Sequence, residues 1–244
     1  MIRIILQPFY TAYVIVTFVI TIIIAFPFFA ILSLGRDAAA RKGVHRAIRV
    51  WTVVWLWLIG MPVTTLGKRP NGRYIIVANH ISYMDTLVIF PAIKGYFRPL
   101  GKKEVGKIPV VGFIYKQVVI MVDRSSAASR AKSLRLLWRV VKHEGSIIIF
   151  PEGTFNETPA VLKDFYDGAF RLAINTHTPI LPVILPDTAH RWHYSGWWKL
   201  WPGKNRAIFL NPIPVDGLTM DKLPELKSTV FNAMEAELGK YERP

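Results

Sequence analysis

Residues 74–85 read Tyr-Ile-Ile-Val-Ala-Asn-His-Ile-Ser-Tyr-Met-Asp, and the character of the chain changes in the middle of this stretch. The run from Tyr74 to Ala78 is apolar and rich in β-branched residues, which predicts a buried strand. Ser82 is a candidate N-cap for a following helix that carries Asp85. His80 therefore falls in the turn between the strand and the helix.

His80 and Asp85 have the residue types of a catalytic base and the group that orients it. On one regular helix, five residues correspond to about 140° of rotation, so the two side chains would face apart, whereas a turn can bring them together. A carboxylate bonded to one ring nitrogen fixes the tautomer and leaves the other nitrogen to accept a proton from a hydroxyl. A substrate hydroxyl can then attack without a serine or cysteine nucleophile. The alternative is an Asn-His helix cap followed by an ordinary first-turn aspartate.

Composition indicates contact with anionic lipid or a phosphate-bearing substrate. The chain has 244 residues, 52% of them hydrophobic, and a formal net charge of +15. This length suits one sizeable α/β domain with an appendage. Apolar character combined with positive charge favours an anionic membrane surface or a phosphate. Because the chain has no cysteine, a disulfide framework, a thiol nucleophile and a thiolate metal site are excluded.

The N-terminal part of the chain predicts a membrane anchor. Charged residues are absent from Ile4 to Leu34, where Pro8 and Pro27 bracket an uninterrupted apolar run. As a helix this run of about 18 residues would be roughly 27 Å long, close to the thickness of a bilayer core. It is longer than the apolar region of a signal peptide, so we expect it to be retained. A second apolar stretch, Val50 to Leu66, contains three tryptophans.

A basic connector joins the two apolar stretches and bears on their arrangement. Its charged residues are Arg36, Asp37, Arg41, Lys42, Arg46 and Arg49. If both stretches crossed the bilayer, the positive-inside tendency would place the rest of the chain outside. We therefore expect a hairpin in the inner leaflet, or one spanning and one interfacial segment, with the connector and the domain both cytoplasmic. A buried helical hairpin in a soluble protein is the alternative.

The sequence divides into a membrane-anchoring helical hairpin, residues 1–70, and an α/β domain, residues 71–244. In the second part, β-rich runs alternate with helix-like runs, which predicts a mixed, largely parallel sheet flanked by helices. The predicted strands are Tyr74–Ala78, Val118–Val122, Ser146–Phe150, Ile180–Ile184 and Ala207–Leu210. The predicted helices are Tyr83–Phe90, Ala127–His143, Gly168–Asn175 and Leu223–Tyr241.

Four blocks follow one another in the α/β part: Asn79-His80 with Asp85, Val122-Asp123-Arg124, Phe150-Pro151-Glu152-Gly153-Thr154, and Pro179 to Val183. Their order and spacing resemble those of the glycerolipid acyltransferases of the lysophosphatidate acyltransferase type. Further matches lie between the blocks, from Lys102 to Phe113 and from Phe165 to Ala173. The resemblance covers about residues 74–183.

The resemblance implies transfer of a fatty acyl group to the free hydroxyl of 1-acyl-glycerol-3-phosphate, giving phosphatidate for phospholipid synthesis. The donor would be acyl-CoA or acyl carrier protein, with no other cofactor and no metal. The partners would be the lipid bilayer, the lysophospholipid and the acyl carrier, and not nucleic acid. The protein would lie in a membrane, most simply a bacterial inner membrane, with its catalytic domain on the cytoplasmic face.

The resemblance also assigns roles to the charged residues of the blocks. His80 would be the general base and Asp85 would hold it. Arg124 would bind the acceptor phosphate, because a guanidinium offers a fork that matches two phosphate oxygens. Lys102 and Lys103 would supplement Arg124.

The Glu152-Gly153-Thr154 turn follows a predicted buried strand. Its backbone amides could therefore approach the acceptor or a developing oxyanion, and Gly153 would permit close contact. Glu152 would bond an acceptor hydroxyl or organise the loop.

Two departures from the family's pattern leave the acceptor open. Phe155 stands where arginine commonly follows the Phe-Pro-Glu-Gly-Thr block, and Tyr166-Asp167 stands where basic residues often precede the Gly-Ala-Phe glycine. Both changes remove positive charge near the expected head-group site. The alternatives are the same chemistry on another lysolipid, such as a lyso-aminolipid, or a non-catalytic membrane-binding protein.

The stretch from His190 to Trp201 concentrates aromatic and basic residues. Aromatic rings favour the bilayer interface, and basic side chains favour anionic head groups. We therefore expect a second membrane contact here, with a packed aromatic cluster as the alternative. The histidines of this stretch lack a metal-ligand spacing.

Overall fold

The computed structural model describes residues 2–35, 37–122 and 127–241, and only the backbone of residues 2, 4 and 127–132. Seven strands in these ranges form one sheet, in the order β1-β7-β6-β2-β5-β3-β4. Neighbouring strands are parallel, except that β6 and β7 are antiparallel. The prediction of a mixed, largely parallel sheet is confirmed. The strands are β1 (Val63–Leu66), β2 (Ile75–Ala78), β3 (Phe97–Lys102), β4 (Ile120–Val122), β5 (Ser146–Ile149), β6 (Ile180–Ile184) and β7 (Asn205–Phe209).

Helices cover both faces of the sheet. They are α1 (Ile2–Leu32), α2 (Ala38–Leu58), α3 (Asp85–Ala92), α4 (Val111–Val118), α5 (Ala127–Arg139), α6 (Gly168–Thr176), α7 (Thr188–Arg191) and α8 (Leu223–Leu238). Short 3-10 helices at Lys103–Lys107 and Met220–Lys222 and a π-helical turn at Val140–Glu144 complete the set within the described ranges.

The central strand β2 divides the hydrophobic core into two layers. Successive side chains of a strand point to opposite faces, and all four residues of β2 are buried. Ile76 packs with residues of α1 to α4, whereas Ile75 and Val77 pack with residues of α5, α6 and α8. Burial on both faces is typical of a central parallel strand and explains the continuous apolar run in the sequence.

Helix α1 is the one helix of the described chain that is long and apolar enough to cross a membrane, over Ile5–Leu32. Its proline residues, Pro8 and Pro27, lie inside the helix rather than at the expected ends. The ring of Phe18 packs against Trp51 and Trp55 of α2, at centroid distances of 5.5 and 5.3 Å. Most of its other apolar side chains are exposed, which indicates membrane association.

Several elements differ from the sequence expectations. Helix α2 begins at Ala38, so most of the expected basic connector is helical. Strand β1 falls inside the stretch assigned to the anchor, yet it pairs with β7, so the sheet begins at Val63 rather than after residue 70. Strand β3 was not predicted, because Pro99 and Gly101 interrupt it with residues that weaken strands. A side chain at position 101 would collide with Tyr115, so the glycine allows α4 to lie close to β3. Helix α4 was not predicted either.

Candidate active site

The catalytic candidate His80 lies directly beyond the carboxyl end of β2, at the centre of the sheet. The preceding residue, Asn79, is buried and fixes this turn to the end of β6. Its amide nitrogen donates to Leu185 O at 3.2 Å, and Leu185 N–H donates to its Oδ1 at 2.7 Å. Asn79 therefore clamps two neighbouring strands together rather than capping a helix.

The turn brings His80 and Asp85 together. His80 Nδ1 lies 2.9 Å from Asp85 Oδ2, and the carboxylate is fully buried at the first residue of α3. The same oxygen accepts hydrogen bonds from the backbone N–H groups of Ile81 and Ser82, both at 2.8 Å. Two fixed donors thus hold the carboxylate in place, and the carboxylate in turn orients the imidazole.

This contact determines which ring nitrogen is available for chemistry. Because a carboxylate accepts and cannot donate, Nδ1 carries a proton, and in the neutral ring Nε2 has the lone pair. His80 Nε2 has no hydrogen-bond partner among the described residues, and the side chain is 16% exposed. This geometry suits a general base, because a hydroxyl that approaches Nε2 would meet an oriented imidazole.

Ser82 fixes the turn in a way that the sequence did not indicate. The N-cap of α3 is Met84, not Ser82. The buried Ser82 hydroxyl accepts a hydrogen bond from Met84 N–H at 3.1 Å and donates one to Trp192 O at 2.6 Å. Ser82 therefore ties the catalytic turn to a segment more than a hundred residues further along the chain.

Aromatic rings form a wall beside His80. Phe150 stacks on the imidazole at a centroid distance of 4.2 Å, and Phe155 meets it edge-on at 4.5 Å. Tyr83 contacts Phe155 at 4.7 Å, and Trp192 lies 5.0 Å from Tyr83. Phe155 thus contacts the His80 imidazole, at the position where the family pattern commonly has arginine.

Glu152 stabilises the turn that carries His80. It is fully buried, and its Oε1 accepts a hydrogen bond from His80 N–H at 2.7 Å. Its Oε2 accepts one from Lys163 N–H at 3.0 Å. These contacts favour the second of the two expected roles, organising the loop, over bonding an acceptor hydroxyl.

Gly153 and Thr154 form the outer part of the same loop. Gly153 has a φ of +74°, which a residue with a side chain adopts only under strain, and its N–H donates to Phe150 O at 3.1 Å. That amide is therefore engaged in the turn and does not point to an oxyanion. Thr154 is exposed, and its Oγ1 accepts a hydrogen bond from Lys163 Nζ at 2.7 Å.

Two of the three expected phosphate ligands, Lys102 and Lys103, lie toward one side of the sheet. Lys102 ends β3 and Lys103 begins the following 3-10 helix, and both are exposed at the carboxyl edge of the sheet. Lys102 is in register with Val122, the last residue of β4. Arg124 lies outside the described residues, so its role stays a prediction. In the part of the chain that the structure describes, no three histidine or acidic side chains converge to hold a metal ion.

The carboxylate at the second departure from the family pattern is paired. Asp167 Oδ1 accepts a hydrogen bond from Lys227 Nζ at 2.6 Å. Tyr166 is exposed, and its N–H donates to Pro151 O at 2.9 Å, which attaches it to the loop of Glu152. Lys227 therefore offsets the charge of Asp167.

Comparison with known proteins places the chain in a class. A family model described as Acyltransferase matches residues 61–186, from just before β1 to just after β6. The chain belongs to this acyltransferase family.

Particular relatives and a solved structure carry a more specific name. The chain is 30% identical over 197 residues to the 1-acyl-sn-glycerol-3-phosphate acyltransferase of Limnanthes alba, covering 78% of this chain and 68% of the relative. It is 26% identical over 214 residues to the alpha form of the same enzyme from Homo sapiens, covering 85% and 75%. The crystal structure of the 1-acyl-sn-glycerophosphate (LPA) acyltransferase PlsC from Thermotoga maritima matches with a TM-score of 0.74 and 25% identity, covering 98% of this chain and 96% of that one. The shared fold thus extends over nearly the whole chain.

Proposed function

We propose that this membrane-associated acyltransferase moves a fatty acyl group from a thioester to the free hydroxyl of 1-acyl-glycerol-3-phosphate, giving phosphatidate. The observation that carries the proposal is the pair of His80 and Asp85, with Nδ1 held at 2.9 Å and Nε2 open. The relatives named above support the choice of acceptor. The thioester is acyl-CoA or acyl carrier protein, and the reaction takes no other cofactor.

The geometry supports direct transfer. Nε2 of His80 accepts the proton of the acceptor hydroxyl while its oxygen attacks the thioester carbonyl carbon. The carbon–sulfur bond then breaks, and the imidazolium returns the proton to the departing thiolate. The buried carboxylate of Asp85 stabilises the imidazolium between these two steps. Acyl-enzyme formation is not part of this sequence of steps.

Helix α1 supports a particular placement at the membrane. Near its beginning, Thr11 Oγ1 donates a hydrogen bond to Trp198 O at 2.6 Å, and near its end Phe26 contacts Phe113 of α4 at 5.7 Å. A helix that touches the catalytic domain at both ends lies along it. This favours a hairpin that dips into one leaflet, with the basic connector and the domain both on the cytoplasmic face, over two full crossings.

A second candidate acceptor follows from Phe155. Its ring contacts the His80 imidazole at 4.5 Å, at the position where the family pattern commonly has arginine. An acceptor without a free phosphate monoester, such as a lyso-aminolipid, fits an apolar wall better than lysophosphatidate does. Lys163, held by Thr154 at 2.7 Å, is a described cation of the same loop that offers compensating charge.

Acyl transfer from labelled acyl-CoA to a panel of lysolipids tests the proposal. The purified protein in detergent is supplied in turn with lysophosphatidate, lysophosphatidylethanolamine and lysophosphatidylcholine, with His80→Ala as the blank. We expect lysophosphatidate to give the highest kcat/KM. A higher value for lysophosphatidylethanolamine would replace the acceptor and retain the chemistry. Transfer to none of the three would refute the function.

A further inference from the structure

A second cationic site lies at the same edge of the sheet as the catalytic residues. A cleft of about 500 Å³ opens beside the end of β6 and the start of β7. We call it the basic cleft, and its lining includes Arg3, Arg191, Arg206, Lys240, Trp201 and Tyr241. In the sheet, β6 and β7 lie on one side of β2, and β5 and β3 lie on the other. The basic cleft and Lys102 are therefore on opposite sides of His80.

Two of the cations in the basic cleft are paired with carboxylates. Arg206 donates from Nε and Nη2 to the two oxygens of Asp187, at 2.9 and 2.6 Å. The Arg206 guanidinium also lies 4.7 Å from the ring centre of Tyr241. Lys240 donates to Glu237 at 2.6 Å. These carboxylates offset part of the positive charge of Arg206 and Lys240, and the two remaining cations add to it.

The other two guanidinium groups make no ion pair with a carboxylate in the described part of the chain. Arg191 donates to the main-chain carbonyls of residues 202 and 204, at 3.1 and 3.2 Å. Arg3 lies over the ring of Trp201, 5.3 Å from its centre. Burial lowers the pKa of the Arg191 guanidinium; Asp187 opposes this shift, and Arg3 lowers the pKa again. The cations of the cleft thus repel one another, and an anion between them would relieve that repulsion.

The position of the basic cleft matches the level of lipid head groups. Arg3 precedes the apolar span that begins at Ile5, so the cleft lies at the polar end of α1. On the loop that follows α7, Trp197 and Trp198 are 62% and 48% exposed. Exposed tryptophan favours the bilayer interface, and clustered arginine and lysine favour anionic head groups.

We propose that the basic cleft binds the phosphate of an anionic phospholipid of the bilayer, at a site separate from the catalytic centre. A guanidinium group can donate to two phosphate oxygens at once, and Arg3 and Arg191 supply two guanidinium groups that form no ion pair with a described carboxylate. The rings of Trp201 and Tyr241 lie under the guanidinium groups of Arg3 and Arg206 and support them in the cleft. The charge of the bilayer thereby sets how firmly this end of the protein is held.

Calorimetric titration of the full-length protein in an uncharged detergent tests this site. The ligands are short-chain phosphatidylglycerol, short-chain phosphatidylcholine and inorganic phosphate. The variant Arg3→Gln/Lys240→Gln removes two exposed charges from the cleft. The control Arg171→Gln/Lys222→Gln removes the same charge elsewhere, and Lys222 pairs with Glu225 three residues away as Lys240 pairs with Glu237. Circular dichroism verifies that both variants are folded.

We expect phosphatidylglycerol to bind more tightly than the other two ligands, and the cleft variant to bind it about thirtyfold more weakly than the control does. The variant Lys102→Gln/Lys103→Gln should keep the wild-type affinity, because those lysines lie on the other side of His80. Equal affinity in the cleft variant and the wild type would overturn the proposal, as would equal weakening in the control. Inorganic phosphate binding as tightly as the lipid would overturn the assignment of the occupant.

Discussion

Asp85→Asn separates the charge of the orienting residue from its geometry. In the structure, Asp85 Oδ2 accepts hydrogen bonds from His80 Nδ1 and from two backbone N–H groups, whereas Oδ1 has no partner in the described chain. An asparagine can place its oxygen at the Oδ2 position and its amide at the empty one. The orientation and tautomer of His80 are then retained. What is lost is the negative charge opposite the imidazolium that the proposed transfer forms.

The size of the effect follows from that charge. Two unit charges about 4 Å apart attract by about 4 kcal/mol at an effective dielectric constant near 20. We therefore expect kcat to fall about 10³-fold, with little change in KM for the acceptor. The assay is steady-state acyl transfer at saturating lysophosphatidate, and the control is Asp216→Asn at an exposed aspartate. A kcat within tenfold of the wild-type value would refute the role of the Asp85 charge.

Three further predictions concern stability and acceptor choice. Burial, aided by Arg49, lowers the pKa of His45 to about 4, so His45 is neutral in the folded protein at neutral pH. As the pH falls below the unfolded pKa, the unfolded chain binds a proton that the folded protein does not, and the folded state loses stability. Between about pH 6.5 and pH 4 the free energy of unfolding should fall by about 3 kcal/mol more in the wild type than in His45→Phe, as measured by denaturant unfolding; equal pH dependence in the two proteins would contradict this. Glu152→Gln puts an amide against one of two backbone donors, so the free energy of unfolding should fall by about 1–3 kcal/mol and kcat should fall. The control Glu225→Gln, at an exposed site, should change neither. An unchanged unfolding midpoint in Glu152→Gln would count against a positioning role. Phe155→Arg puts a guanidinium beside the base, so kcat/KM for lysophosphatidate relative to lysophosphatidylethanolamine should rise about tenfold or more, compared with no change in Phe155→Leu; an unchanged ratio would remove residue 155 from the head-group pocket.

The parts of the fold with a strong local pattern could be predicted from the sequence. Strand β2 is buried on both faces, and the helix that follows carries Asp85 within its first turn. A run of β-branched residues followed by a helix-like pattern was therefore sufficient to predict both elements. Strand β1 was assigned to the anchor instead, because Val63 to Leu66 continues an apolar, tryptophan-rich stretch. Its pairing with β7 depends on residues about 140 positions away, so the sequence around Val63 does not indicate it.

The candidate site shows the same division. The pairing of His80 with Asp85 follows from a turn between them, which local sequence can indicate. The support for that pair comes from Leu185 and Trp192, whose contacts with Asn79 and Ser82 use backbone atoms. Any residue type can supply a backbone carbonyl, so the sequence contains no signal for these bonds. The fully buried position of Glu152, with both oxygens on backbone donors, was hidden for the same reason.

The measurement that tests direct transfer most closely is the fate of a labelled acyl group with and without His80. Purified wild-type protein, His80→Ala and the exposed-site control His143→Ala are incubated with labelled acyl-CoA and lysophosphatidate. Phosphatidate formation and label on the protein are followed over time. We expect the wild type and the control to form phosphatidate with no labelled protein, and His80→Ala to be slower by about 10²–10⁴-fold. Turnover by His80→Ala near the wild-type rate, or a labelled protein that forms and decays with product, would contradict His80 as the base of a direct transfer.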